Sequence, residues 1–245
     1  MHVRVGPAGE SREMSKHLIR DLDQLQKDIL TLAGIVETAL HKAMRSITER
    51  SAVLAREVIE GDDVIDREEN HIDEECLKIL ALHQPVATDL RRITSAMMIV
   101  IDLERMGDLA EEIAQQGLHL IQTEAWATPG RMQKLSDLAT LLVRNSLDAF
   151  VRLDPELARL VIRMEVQASH LVDELIAGIL QSMEPGGATI SPGISFFTIT
   201  KALERVANHA ANIAEDVIYL AEGEIVRHRG QATPSRPREE NPPGE

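Results

Sequence analysis

From Leu18 the apolar residues recur in steps of three and four, at Leu22, Leu25, Ile29, Leu32, Val36, Ala39, Ala43 and Ile47, the spacing of one face of a long bundle helix. A second stripe, Val58, Ile65, Ile72, Cys76 and Ile79, predicts a helix over 51–82 that stops before Pro85, which cannot continue it. A third helix covers 86–122, with Leu90, Ile93, Met97, Val100 and Ile101 on its stripe, and fades into the break "TEAWATPG". A fourth runs over 131–152 and stops at "LDPE", where Asp154 has the chemistry of an N-cap and Pro155 opens helix five. Helix five ends near "EPGG", and helix six runs from Pro192 to Glu222. No stretch alternates with period two between hairpin turns, so the expected class is all-α.

The six helices fall into two sets of three. "LERMGDLAEEIA" at 103–114 lies over "LERVANHAANIA" at 203–214 with six identities, and each segment sits in the third helix of its set. The expected architecture is two tandem three-helix bundles, one over 15–123 and one over 130–225. Residues 1–14 and 229–245, polar and rich in Gly or Pro, are expected to be disordered tails.

Charge changes this picture from a plain bundle to one with a candidate site. The 245 residues carry 40 acids against 26 Lys and Arg, a formal net charge of −14 that opposes contact with nucleic-acid phosphates and attracts multivalent cations or basic surfaces. Aromatics are only 2% of the chain, so the core rests on aliphatic side chains. One cysteine, no signal-peptide pattern and no apolar run longer than "AMMIVI" make the cytoplasm the expected compartment, without direct membrane insertion.

The acids are concentrated on two adjacent helices. In helix three, Glu104 and Asp108 stack one turn apart with Glu111 or Glu112 a further turn along, and Glu112 joins the candidate set. In helix two, "GDDVIDREENHIDEE" places Asp62, Asp66 and Glu69 on one face. Like charges at this spacing repel by about 0.2–0.5 kcal/mol each when solvated, so solvent, arginines from elsewhere or a bound cation must relieve them. Oxygen-only clusters suit hard cations such as Mg2+, Mn2+ or Fe3+. In the second half the turn-by-turn counterparts are Glu204, Asn208 and Asn212; His209 and His170 read as ordinary hydrogen-bonded or surface histidines. A solvated acidic face with no ligand is the competing reading.

Other chemistries find little support. A carboxylate-bridged di-iron enzyme needs Glu-x-x-His on two helices, and only Glu68–His71 supplies it. Cys76 lies on an apolar stripe and reads as a core residue, and no Gly-rich phosphate loop precedes a Lys.

Taken together, "HQPVATDLRRI", "DLERMGDLAEEIA" and "ALERVANHAANIAEDVIYLAEG", in two three-helix repeats, resemble the PhoU family of phosphate-uptake regulators from about Met14 to His228. The resemblance implies a non-enzymatic regulator that represses the phosphate-starvation response when phosphate is plentiful. Its implied partners are the ATPase subunit of the Pst phosphate ABC transporter and a phosphate-sensing histidine kinase, and a homodimer is open. It also implies metal ions, iron, zinc, manganese or magnesium, on the acidic faces. The family's Glu/Asp-x-x-x-Asp motif falls at Glu104–Asp108. Its second copy departs at Asn208, and Ser169 replaces the counterpart of Asp66, whereas Glu165 keeps the acid of Asp62; looser binding is expected in the second bundle. A metal-independent helical scaffold is the alternative function.

Overall fold

A computed structural model of the protein describes residues 8–123, 127–183 and 189–223, with side chains from residue 16 onward in the first helix. Among the described residues six helices form in the expected order: α1 Ala8–Thr48, α2 Ala52–His83, α3 Ala87–Gln122, α4 Met132–Arg152, α5 Pro155–Ser182 and α6 Ile190–Glu222. Among the described residues there is no strand. α1 begins at Ala8, inside the segment read as a tail. "AGESREMSKH" is rich in helix formers but has no apolar period, so propensity carries that first stretch where periodicity gave no sign of it. The tail expected over 229–245 lies outside the described residues.

The boundaries have local causes. Ser51 caps α2 by accepting the Leu54 N–H, and Arg50, in the left-handed region, lets the Ser51 N–H reach Ser46 O at 2.9 Å. The Arg50 guanidinium then donates to Leu120 O, Ile121 O and Thr123 O, satisfying the open end of α3. Asp154 caps α5 as its sequence predicts, accepting the Glu156 and Leu157 N–H groups at 3.0 Å with Pro155 in the first turn.

The stripes of α1 and α2 fill the core as expected: Ile29, Leu32, Val36, Ile65, Ile72 and Cys76 are all sealed from solvent. Helix α3 departs from its predicted stripe. Ile93 and Val100 are buried, but Leu90 and Ile101 are exposed, because α3 is enclosed by α1, α2 and α6 and its buried surface wraps around three sides. The run "AMMIVI" has no polar residue to set its phase, so the sequence does not reveal which apolar positions face out.

The bundles α1–α2–α3 and α4–α5–α6 join into one continuous core through an extensive α3–α6 contact and a smaller α1–α4 contact. α3 and α6 run antiparallel: Asp102 meets His209 and Asn212, while His119 meets Ser191 further along. No helix among the described residues is long and apolar enough to cross a membrane.

Candidate metal centre

The acids of α2 and α3 come together because α2 lies tightly against α3 at Gly107. A Cβ there would stand 2.8 Å from Ile65 Cδ1 and 3.0 Å from Ile65 Cγ2, so only glycine lets Ile65 rest on the α3 backbone. The matching positions in the second bundle are Ala207 and Ala168, both buried, where two small residues meet the same need. Gly107→Val is expected to lower unfolding free energy by about 2 kcal/mol through overpacking against Ile65. Chemical denaturation checks this, and a loss below about 0.5 kcal/mol would show that the contact has slack.

Around this contact the carboxylates line two facing helix edges. On α2 they are Asp62, Asp66 and Glu69, continued a turn later by Asp73; on α3 they are Glu104, Asp108 and Glu111. At 3.6 residues per turn the three α3 acids fall within an arc of about 60°, while Glu112 lies about 80° from Glu104. Glu112 therefore leaves the ridge. It faces α6, with its Oε2 3.8 Å from Arg205 Nη1, and Glu111 takes the place expected of it.

The electrostatics record the crowding. Burial, then the charges of Glu111, Asp66 and Asp108, push the Asp62 carboxyl up to about 6. Glu69 is raised by burial and by Asp73 and Asp66, and Glu104 by burial and by Asp108. Arg105 is the cation set among them: Nη1 donates to Asp108 Oδ2 at 3.0 Å and Nε lies 3.3 Å from Glu104 Oε2. At the far end Asp73 Oδ1 is buried without a hydrogen-bond donor among the described residues. Hard oxygens in excess of their counter-charge, one of them orphaned, are a donor set that fits a multivalent cation. As they stand, no three His, Cys, Asp or Glu side chains among the described residues are arranged to hold an ion, and Arg105 occupies the middle of the ridge.

The second bundle brings its predicted residues together differently. Glu165 on α5 accepts from Ser169 Oγ at 2.9 Å, and the Asn208 amide of α6 lies 3.2 Å from Glu165 Oε1 and 3.2 Å from Glu204 O. Both neighbours are acceptors, which fixes the Asn208 nitrogen toward them. Glu204 pairs with Lys201.

Between the two sites runs a polar seam that the sequence reading does not contain. Asp102 is buried in the α3–α6 contact, where its Oδ1 meets His209 Nδ1 at 2.7 Å and accepts from Asn212 Nδ2 at 3.2 Å. The signal was present: Asp102 is the single acid within "MMIVIDL", in phase with the buried Ile99 and Met106. Cys76 is fully buried with its thiol pushed up to about 12, which makes it inert.

Comparison with known proteins places this geometry. The PhoU domain family matches residues 29–117 and again 132–217, once in each bundle. The phosphate-specific transport system accessory protein PhoU homolog of Pseudomonas putida is 35% identical over 222 residues, covering 90% of this chain and 86% of that protein. The PhoU accessory protein of Escherichia coli (strain K12) is 27% identical over 225 residues, covering 90% and 93%. The crystal structure of PhoU from Pseudomonas aeruginosa superposes with a TM-score of 0.80 at 34% identity, covering 84% of this chain and 99% of that one. The structure of the phosphate transport system regulatory protein PhoU from Streptococcus pneumoniae gives 0.80 at 28% identity.

Proposed function

The chain belongs to the PhoU family, and from that premise we propose that it is an accessory regulator of phosphate-specific transport that holds phosphate-starvation genes off when phosphate is plentiful. It acts in the cytoplasm without catalysis of its own, on the ATPase subunit of the Pst transporter and on a phosphate-sensing histidine kinase. The observation that carries the regulatory reading is the match through both bundles to proteins named for this system. Deleting the gene and following a phosphate-repressed reporter in high phosphate tests it: derepression is expected, and unchanged repression would refute the assignment.

The acid ridge adds a cation to this reading. Asp62, Asp66, Glu69, Glu104, Asp108 and Glu111 would hold it, and the ion would supply the positive charge that Arg105 alone does not. Oxygen donors favour manganese, magnesium or ferric iron over zinc. A metal-free scaffold is the second reading, and the Arg105 pairs favour it, since they relieve part of the repulsion without any ion. Elemental analysis of protein purified without chelator separates the two. Wild type is expected to carry metal that Glu104→Ala/Asp108→Ala protein lacks, and equal content in both leaves the scaffold reading.

A further inference from the structure

The internal repeat permits a position-by-position comparison of the two bundles. Helix α5 follows α2 with Glu165 at the place of Asp62, and α6 follows α3 with Glu204 at the place of Glu104. Under these offsets Asp66 becomes Ser169, Glu69 becomes Val172, Asp73 becomes Ile176, Asp108 becomes Asn208 and Glu111 becomes Ala211. Of seven ridge acids, two remain.

The replacements follow a pattern. In the first bundle three carboxylates of the ridge, Glu111, Asp66 and Asp108, press on Asp62, as does its neighbour Asp63. Each has a neutral counterpart in the second, and two of those counterparts donate hydrogen bonds to the residue that Asp62 became: Ser169 at 2.9 Å and Asn208 at 3.2 Å from Glu165 Oε1. The third, Ala211, removes a charge. At the other end Val172 is fully buried and Ile176 packs on the core, where the first bundle has Glu69 and the orphaned Asp73. Glu204 takes its counter-charge from Lys201, one helical turn away. Repulsion among acids has become a set of satisfied hydrogen bonds with one internal cation.

We infer that the second bundle has exchanged its cation site for a hydrogen-bonded lock between α5 and α6, in which neutral donors take the place of carboxylates around Glu165, so that the chain carries one cation-binding ridge and not two. The inference rests on the cation reading of the first bundle for its contrast, but not for the lock itself. A bound ion would have to displace the two donors that already occupy Glu165 Oε1, and would find only two carboxylates to compensate its desolvation.

The test uses the full-length chain, stripped with EDTA, dialysed against Mn2+ and assayed for metal and for thermal unfolding. Ridge-neutral protein, Asp62→Asn/Glu104→Gln/Asp108→Asn, is expected to hold no Mn2+. Adding Ser169→Asp and Asn208→Asp to that background should create a site for about one ion per chain, because four carboxylates then face one another across α5 and α6. Asn208→Ala, which keeps the fold's charge, should lower the melting temperature equally with and without Mn2+. Ridge-neutral protein that keeps Mn2+ and loses it on Glu165→Gln would overturn the inference, as would an Asn208→Ala protein with reduced metal content. Wild type that binds no Mn2+, alongside a Ser169→Asp/Asn208→Asp variant that does, would remove the ridge as a site and leave the lock standing.

Discussion

In EDTA at pH 8, Asp62→Asn protein is expected to melt at a higher temperature than wild type, and saturating Mn2+ is expected to reverse that order. The first half follows from linkage. The folded protein holds the Asp62 proton up to about pH 6, through burial and the charges of Glu111, Asp66 and Asp108, while the unfolded chain releases it near the ordinary value of 3.8. A raised carboxyl pKa stabilises the fold at low pH, and that contribution is lost as pH rises from about 4 through about 6. Above that window the ionised Asp62 is a net burden that the amide removes. Because Asp62 is partly solvated, screening reduces the effect to about 1 kcal/mol, or about 2–4 °C in a chain of this size. The second half is mass action: an ion present at a hundred times its dissociation constant stabilises the folded state by about 2.7 kcal/mol, about 5–10 °C, provided the ridge is intact. Calorimetry from pH 5 to 8, with and without Mn2+, reads both. Parallel curves for the two proteins under all conditions would show that Asp62 neither carries the repulsion nor meets the ion.

The order of helices was legible because α1, α2, α4 and α5 each keep one apolar face in contact with their neighbours, and a single stripe announces a single face. Helix α3 lacks that simplicity. Enclosed on three sides, it buries Ser95, Gly107 and Gly117 beside its aliphatic residues, and the positions left outside, Leu90 and Ile101, are as apolar as those within. The acid ridge was legible as a composition but not as a register. Glu111 and Glu112 are neighbours in sequence, and only the direction of the α2 and α6 contacts decides that one joins Asp62 while the other meets Arg205. The lock in the second bundle was visible as missing charge; that the replacing hydroxyl and amide donate to the same Glu165 oxygen could only come from coordinates. The seam was missed for a different reason. A lone acid beside an acidic cluster reads as one more member of it, and the partner of Asp102 lies 107 residues away.

Removing the Asp102 carboxylate is expected to destabilise the fold by about 2 kcal/mol, within the range for leaving a half-buried hydrogen-bond group without its partner. Asp102→Ala takes the acceptor from His209 Nδ1, which is half-buried at the α3–α6 contact, while the exposed Asn212 amide can turn to water. A second charged pair between α3 and α6 provides the contrast: Arg205 and Glu112 are 3.8 Å apart with both side chains substantially exposed, and Arg205→Ala should change stability by less than about 0.5 kcal/mol. The repeat also supplies the rescue. Its symmetry maps Asp102 onto Ala202 and His209 onto Leu109, both buried, so Asp102→Ala/His209→Leu rewrites the polar pair as its own apolar counterpart. That double variant should recover at least about half of the lost stability, since an apolar pair of fitting volume replaces a hydrogen-bonded polar one at little cost. What it should not recover is the directional contact that fixes one antiparallel register of α3 on α6, and with it the placement of the ridge beside one face of the seam and the lock beside the other. Denaturant unfolding of the three variants measures the first effect. Hydrogen exchange at the α3 and α6 amides measures the second, with faster exchange in the double variant than in wild type at matched stability. Equal exchange would mean that packing alone sets the register and that Asp102 contributes only energy.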